Sequence, residues 1–131
     1  MCIRDRDNAE RFATLFVDNP AVYVPRVERM LSSTRVLTTT WIEGSKMRNS
    51  QELIDQRLDP AALIRTGVIC GLQQLLEFGY FHADPHPGNL FALQGRSGDM
   101  GHVGYVDFGM IDSISDRDLS LIHISEPTRP Y

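Results

Sequence analysis

A loop rich in proline, glycine and histidine, residues 80–91, restricts the fold of this chain more than any other stretch. It carries Asp84 and, five residues later, Asn89. Two prolines and a glycine lie between them and stiffen and bend the backbone. We therefore expect both polar side chains to point into one cavity. A second stretch, residues 105–109, places Asp107 between strand-forming residues and a glycine.

These three polar side chains suit a magnesium-dependent reaction at a phosphate group. Phosphoryl transfer needs a divalent metal against the phosphate oxygens and a carboxylate beside the attacking hydroxyl or water. Mg²⁺ prefers oxygen ligands and keeps several waters, so one carboxylate and one amide oxygen suffice. We predict that Asn89 and Asp107 bind Mg²⁺ and the cofactor ATP. Asp84 is the predicted catalytic base or nucleophile-orienting residue.

The same spacing resembles that of the catalytic and metal-binding loops of protein kinases. The run from His82 to Asn89 is similar to the signature of the UbiB/AarF family of atypical kinase-like proteins. This family is linked to ubiquinone and other isoprenoid-quinone biosynthesis. The resemblance extends over most of the chain, through residues 8–12, 22–27, 36–44 and 106–110.

The resemblance implies an α+β class and a truncated protein-kinase-like fold. It implies that residues 7–44 form the end of the N-lobe and the hinge. Residues 45–118 would form the first part of the helical C-lobe, with the catalytic loop and a β-hairpin. The backbone groups of Thr40 and Ile42 would then lie in the hinge, where they meet the adenine edge of ATP. A plain strand end before a glycine turn is an equal alternative there.

Both ends of the chain are predicted to be artefacts. Residues 1–5 can be written as ATG TGT ATA AGA GAC, and residues 119–124 as CTG TCT CTT ATA CAC ATC. The second string contains the complement of the first, as a transposase sequencing adaptor read on opposite strands would. We therefore exclude residues 1–6 and 119–131 as adaptor-derived. Ordinary polar tails are the alternative.

Local patterns predict the remaining elements. Caps and apolar spacing predict helices, at residues 8–17, 49–58 and 60–78. Alternation and β-forming residues predict strands, at residues 22–24, 26–31, 35–42, 90–93 and 103–108. The runs 26–31 and 35–42 are expected to form a hairpin, and a glycine-rich loop, residues 95–104, to join the last two strands. The second helix is expected to be exposed, and the third to be the buried spine, with Cys70 as a core residue.

Composition limits the partners. The net charge is −4 and no basic patch appears, so nucleic acid is not expected. Outside the suspected ends only Cys70 remains, which fits a reducing compartment. No apolar run reaches the roughly 18 residues of a membrane span. We expect a cytoplasmic fragment that binds nucleotide. The resemblance implies a membrane-associated parent and a lipid or quinone-pathway partner.

Two residues depart from ordinary protein kinases and guide the choice of reaction. Ala83 stands where ordinary protein kinases have an arginine that binds the activation-loop phosphate. His86 stands where they have a lysine that stabilises the transferred phosphate. An imidazole supplies less charge than an ammonium near pH 7. These changes favour ATP hydrolysis, or transfer to a small or lipid-like acceptor, over protein phosphorylation. The resemblance also implies that the N-lobe lysine, its glutamate partner and the nucleotide loop lie upstream, so the fragment itself is expected to be inactive.

Two other functions use the same residues. His82, Asp84 and His86 alternate, and on an extended strand they would form a Zn²⁺ or Fe²⁺ site of a metal-dependent enzyme. The intervening prolines oppose a regular strand, and this hypothesis leaves Asn89 unexplained. The kinase-like hypothesis instead gives His82 a structural role beneath Asp107. The third hypothesis is a non-catalytic pseudokinase module that binds nucleotide without turnover.

Overall fold

The computed structural model describes residues 2–94 and 101–124. The described part contains four α-helices: α1 (Cys2–Leu15), α2 (Ser50–Asp55), α3 (Pro60–Gln73) and α4 (Asp116–Ile124). It contains six strands: β1 (Val22–Tyr23), β2 (Ser45–Lys46), β3 (Tyr80–His82), β4 (Leu90–Leu93), β5 (His102–Tyr105) and β6 (Ile111–Ser113). The fold is thus mixed α and β, as predicted. Most of the predicted glycine-rich loop lies outside the described residues.

The strands form one four-stranded and one two-stranded sheet. The larger sheet has the order β1-β5-β4-β2, in which β1 runs parallel to β5 and the other pairs are antiparallel. In the smaller sheet, β3 pairs with β6 in antiparallel register. The predicted strands at residues 22–24, 90–93 and 103–108 are therefore confirmed, with somewhat shorter bounds. The loop between β3 and β4 lies between the two sheets.

Helix α1 packs its aromatic face against the strands that end at the polar loops. The Phe12 ring is fully buried and lies 5.1 Å from the Tyr105 ring and 5.3 Å from the Phe108 ring, centroid to centroid. Asn8 fastens the helix by donating from Nδ2 to the Phe108 carbonyl at 2.9 Å and accepting from the Tyr80 hydroxyl at 3.0 Å. The helix begins at Cys2, and the predicted adaptor origin of the chain ends stays a prediction.

The caps of α2 and α3 confirm the predicted helix starts. Asn49 Oδ1 accepts from the Gln51 backbone N–H at 3.0 Å, and Asp59 Oδ1 accepts from the Ala61 backbone N–H at 2.9 Å. These bonds satisfy amides that have no partner within a helix. After α3 the chain makes a π-helical turn (Gln74–Phe78) and stops at Gly79, whose φ of +57° is left-handed.

Helix α2 is exposed as predicted, except for one buried leucine. Leu53 is buried on this helix, and Leu58 is buried just beyond its end. Helix α2 also ends at Asp55, three residues before the predicted boundary. Arg57, with a left-handed φ of +62°, reverses the chain after the helix and directs Leu58 inward. The turn thus places two leucines in the core that the local pattern had assigned to solvent.

Helix α3 is buried on one side only, so its predicted role as a wholly buried spine is wrong in part. Ala62, Leu63 and Cys70 are buried, as expected of core residues. Burial raises the pKa of the Cys70 thiol to about 11. Other apolar side chains of this helix are exposed, including those of Ile64, Val68, Ile69 and Leu72. No helix in the described ranges is both long and apolar enough to cross a membrane.

The predicted hairpin of residues 26–31 and 35–42 does not form two strands. The runs do pair: Glu28 N–H donates to the Thr38 carbonyl at 2.9 Å, and Val27 bridges Thr39. The first run, however, turns into a 3₁₀-helix at Arg29–Leu31. Met30 is 96% exposed there. A two-stranded ribbon without a buried face is only marginally stable, which explains the reduced pairing.

Candidate active site

The sheet register brings the loops of Asn89 and Asp107 together. Asn89 directly precedes β4, and Asp107 follows the neighbouring strand β5 by two residues. Because β4 and β5 pair Leu90 with Tyr105, the residues just outside the ladder face each other. The Val106 N–H donates to the Asn89 carbonyl at 3.0 Å and closes this end. The two predicted magnesium ligands therefore lie on adjacent loops.

His82 ties the Asp84 loop to the Asp107 loop. Its buried ring presents Nε2 to the Asp107 carbonyl at 2.8 Å, while the Asp84 backbone N–H donates to Nδ1 at 3.2 Å. A backbone N–H is always a donor, so Nδ1 is the acceptor and Nε2 carries the proton. The structural role predicted for His82 is confirmed. The ring thus joins the backbones of Asp84 and Asp107, and Asn89 joins the cluster by donating from Nδ2 to the Asp84 carbonyl.

Gln74 supports His82 by a buried hydrogen bond, a role that was not predicted from the sequence. Gln74 is 3% exposed, and its Oε1 accepts from the His82 backbone N–H at 2.9 Å. Its Nε2 donates to the Tyr105 hydroxyl at 3.4 Å, and burial raises the pKa of Tyr105 to about 12. A glutamine among apolar helix residues was the available signal. The π-helical turn that directs it inward has no signature in the sequence.

Asn89 and Asp107 offer the oxygen atoms that a hard cation prefers. Asn89 is 9% exposed and donates from Nδ2 to the Asp84 carbonyl at 3.2 Å. Within the described residues, its Oδ1 accepts no hydrogen bond and is available as a ligand. Asp107 has a left-handed φ of +62°, and its Oδ1 accepts weakly from the Gly109 N–H at 3.4 Å. One amide oxygen and one carboxylate fit Mg²⁺. The left-handed backbone of Asp107 is also typical of functional sites, where strained residues cluster.

Asp84 remains accessible at the mouth of the cluster. Its side chain is 43% exposed, and its Oδ2 lies 3.6 Å from Nε2 of His86. The Gly88 N–H donates to Nδ1 of His86 at 2.9 Å, which makes Nε2 the protonated nitrogen of the neutral ring. The imidazole thus turns its N–H toward the carboxylate. A hydroxyl or a water can reach Asp84 from solvent.

The structure argues against the Zn²⁺ or Fe²⁺ site of His82, Asp84 and His86. Both ring nitrogens of His82 are already bonded to backbone groups. Across residues 2–94 and 101–124, no three His, Cys, Asp or Glu side chains are grouped as a metal site. The prolines of the loop break the strand after His82, so the three residues do not share a strand face.

The two predicted hinge residues lie apart from this cluster. The Thr40 N–H donates to the Arg26 carbonyl at 2.9 Å, and Thr40 Oγ1 accepts from the Arg26 N–H at 2.9 Å. This backbone donor is therefore already used. Ile42 lines a cavity of about 700 Å³ together with Trp41 and Leu93. Asp84, Asn89 and Asp107 are not among the residues that line it. Their link to an adenine site stays a prediction.

Gly44 brings the end of the predicted hinge segment close to β4. A Cβ atom at this position would lie 2.6 Å from the Ala92 carbonyl oxygen and 2.7 Å from Cδ2 of Leu93. Only glycine allows this approach. The contact sets β2 beside β4, where Ser45 pairs with Ala92.

The chain resembles known proteins over nearly its whole length. A model of the ABC1 atypical kinase-like domain matches residues 3–123. An uncharacterized protein of Synechocystis sp. is 48% identical over 108 residues, which are 82% of this chain and 18% of that protein. Protein ACTIVITY OF BC1 COMPLEX KINASE 3, chloroplastic, of Arabidopsis thaliana is 41% identical over 115 residues, 88% of this chain and 16% of that protein.

This chain is also similar to a solved structure. The complex of Rv3197 with erythromycin from Mycobacterium tuberculosis matches with a TM-score of 0.55 and 29% sequence identity. The match covers 82% of this chain and 26% of that chain. The chain thus spans less than a fifth of the two curated relatives, at 18% and 16% of their lengths.

Proposed function

The chain belongs to the ABC1 atypical kinase-like family, which confirms the UbiB/AarF assignment, and we propose that it is the metal-holding and catalytic-loop part of an ATP-binding protein. The parent protein hydrolyses ATP or transfers its terminal phosphoryl group to a small or lipid-like acceptor. The single observation that carries this proposal is the cluster of Asp84, Asn89 and Asp107 around the ring of His82.

Each residue of the cluster has a role in this proposal. When bound, Mg²⁺ and ATP supply charge neutralisation and the phosphoryl group. Asn89 Oδ1 and a carboxylate oxygen of Asp107 hold the cation. Asp84 accepts the proton of the attacking hydroxyl or water at a carboxylate oxygen, or orients that group. His82 keeps the two loops at a constant separation by bonding to backbone atoms of both.

We further propose how the chain is placed in a kinase-like fold. Residues 7–44 are the end of the N-lobe and the hinge, and residues 45–118 are the first part of the C-lobe with the catalytic loop. Support comes from the family match and from the exposed apolar side of α3, which suits a helix covered by further elements. In this arrangement Thr40 and Ile42 contribute backbone groups to the adenine site.

The acceptor, pathway and location are proposals from the resemblance. Ala83 and His86 favour a small or lipid-like acceptor over a protein, and the family resemblance favours a role in ubiquinone or other isoprenoid-quinone biosynthesis. The partners are then a nucleotide and a lipid or quinone-pathway partner. We propose a cytoplasmic chain whose parent is membrane-associated.

The test uses a full-length protein that contains this chain. Asp107→Asn should abolish Mg²⁺-dependent ATP binding or turnover, and Asn89→Ala should weaken metal affinity by about tenfold or more. Asp107→Asn suits the test because asparagine tolerates a left-handed φ, so the backbone is kept. The control Asp18→Asn removes an exposed carboxylate after α1 and should leave binding unchanged. Wild-type binding and turnover in both site variants would overturn the assignment.

The 131-residue chain alone provides a second test. We expect no appreciable ATPase activity from it, since the resemblance places the lysine and nucleotide loop outside this chain. Turnover that Asp107→Asn abolishes in this same chain would contradict that expectation. Nucleotide binding without turnover in the full-length protein would instead assign the non-catalytic pseudokinase function.

A further inference from the structure

Strand β2 and the turn that follows it carry two cationic residues, Lys46 and Arg48. Lys46 pairs with Phe91 of β4, and its Nζ lies 6.0 Å from the centre of that ring. The Met47 N–H donates to the Leu90 carbonyl of β4 at 3.2 Å. The chain then turns, because the Arg48 N–H donates to the Lys46 carbonyl at 2.7 Å. Arg48 therefore lies in the turn directly after the strand.

Arg48 reaches the catalytic loop at Gly88. A Cβ atom at position 88 would lie 2.6 Å from Nη2 of Arg48 and 2.4 Å from Cε1 of His86. The space that a larger residue would fill is therefore occupied by a guanidinium and an imidazole. The guanidinium stands one residue from Asn89 and beside the ring that faces Asp84.

The charge of Arg48 is not neutralised within the described residues. There the arginines in ion pairs with acidic side chains are Arg6, Arg26 and Arg29. Lys46 has no acidic partner there either. The basic side chain of the loop, His86, uses Nδ1 to accept the Gly88 N–H. A planar guanidinium in this position suits two phosphate oxygens.

We propose that Arg48 binds a phosphate group at the mouth of the site. It supplies a fixed positive charge from the turn after β2, where the loop itself carries a histidine at position 86. This inference rests on the proposed function for the identity of the site. The phosphate belongs either to the end of the nucleotide or to an anionic acceptor, and both sources present the same oxygens to the guanidinium.

The first experiment isolates the phosphate contact from the metal. The ¹⁵N-labelled 131-residue chain is titrated with inorganic pyrophosphate in EDTA, and the amide shifts of Gly88 and Asn89 are followed. Arg48→Gln should weaken pyrophosphate binding by about fivefold, and Arg48→Lys should weaken it by a smaller factor. The control Arg35→Gln removes an exposed arginine from the turn before the hinge and should bind as wild type.

A second variant, Gly88→Ala, keeps the positive charge of Arg48 but changes its position. Gly88→Ala should displace the guanidinium and also weaken pyrophosphate binding, while the chain keeps its folded spectrum. Pyrophosphate binding that is unchanged by both Arg48→Gln and Gly88→Ala would overturn the inference. Because metal is absent, this result is separate from the Asp107→Asn test: either can fail while the other holds.

A third measurement distinguishes the two phosphate sources in the full-length protein. A loss of affinity for ATP but not for AMP in Arg48→Gln assigns the contact to the terminal phosphate of the nucleotide. A loss of affinity for glycerol 3-phosphate at saturating ATP assigns it to the acceptor. Wild-type affinity for all three compounds would contradict the phosphate contact.

Discussion

At the residue scale, the two ring nitrogens of His82 join the backbones of the two acidic loops. Nε2 donates to the Asp107 carbonyl, and Nδ1 accepts the Asp84 N–H. The ring is buried, so its removal takes a partner from both backbone groups at once. Its contribution is therefore to stability and to loop placement.

Truncation of His82 should be costly. His82→Ala removes a buried ring and the partner of a partly buried carbonyl and N–H, and should lower the free energy of unfolding by about 2–3 kcal/mol. The matched control His86→Ala removes an exposed imidazole from the same loop and should change stability by less than about 0.5 kcal/mol. Urea denaturation of both variants measures the difference. Equally small losses of unfolding free energy in the two variants would show that His82 does not hold the loops together.

The sequence predicts the site residues whose positions depend on local spacing, but not those that depend on contacts between distant elements. Asp84, Asn89 and Asp107 are found from spacing, because a stiff loop and the neighbouring strand end determine where they lie. Gln74 and Arg48 act through contacts between elements distant along the chain. The inward direction of Gln74 depends on a π-helical turn, and the contact of Arg48 with Gly88 depends on the turn that follows β2. Neither is visible in local periodicity.

At the element scale, two glycines with opposite surroundings test the packing of β2 and α3. Gly44→Ala places a Cβ atom 2.6 Å from the Ala92 backbone oxygen, and should destabilise the protein by about 1–3 kcal/mol. Gly67 lies inside α3 with no heavy atom within 4 Å of such a Cβ. Gly67→Ala should therefore stabilise by about 0.5–1 kcal/mol through lower backbone entropy. Thermal unfolding compares the two variants. A stabilising Gly44→Ala would contradict the close contact.

The starts of α2 and α3 and the stop at Gly79 were predictable from the sequence because caps are local. Asn49 and Asp59 each bond an amide two residues away, and Gly79 needs only its own conformation. The strand runs at 26–31 and 35–42 were less predictable, since a strand needs a partner with a buried face. The inward turn at Leu58 likewise depends on tertiary packing.

At the scale of the whole molecule, one side of α3 is an exposed apolar surface. Ile64, Val68 and Leu72 are more than half exposed at four-residue spacing, so they form one stripe. Contiguous apolar surface of this kind marks interaction sites and promotes association. The family match and the greater length of the relatives are consistent with a covering element in the parent protein.

This stripe should make the 131-residue chain self-associate or bind a hydrophobic dye. The double variant Val68→Gln and Leu72→Gln should reduce dye fluorescence and shift sedimentation toward the monomer. The control Met30→Gln removes a single apolar side chain that is 96% exposed on the 3₁₀-helix, and should change neither. A wild-type chain that is monomeric and binds no dye would show that the stripe is not accessible.

Paramagnetic NMR with Mn²⁺ tests whether Asp84, Asn89 and Asp107 share one metal–nucleotide site. Mn²⁺ takes the same oxygen ligands as Mg²⁺ and broadens the amide signals nearest to it. With ATP present, the amides of these three residues should lose intensity before all others, and Asp107→Asn should abolish the effect. Broadening centred on the acidic start of α4, Asp116 and Asp118, or spread evenly over the acidic surface, would contradict the site.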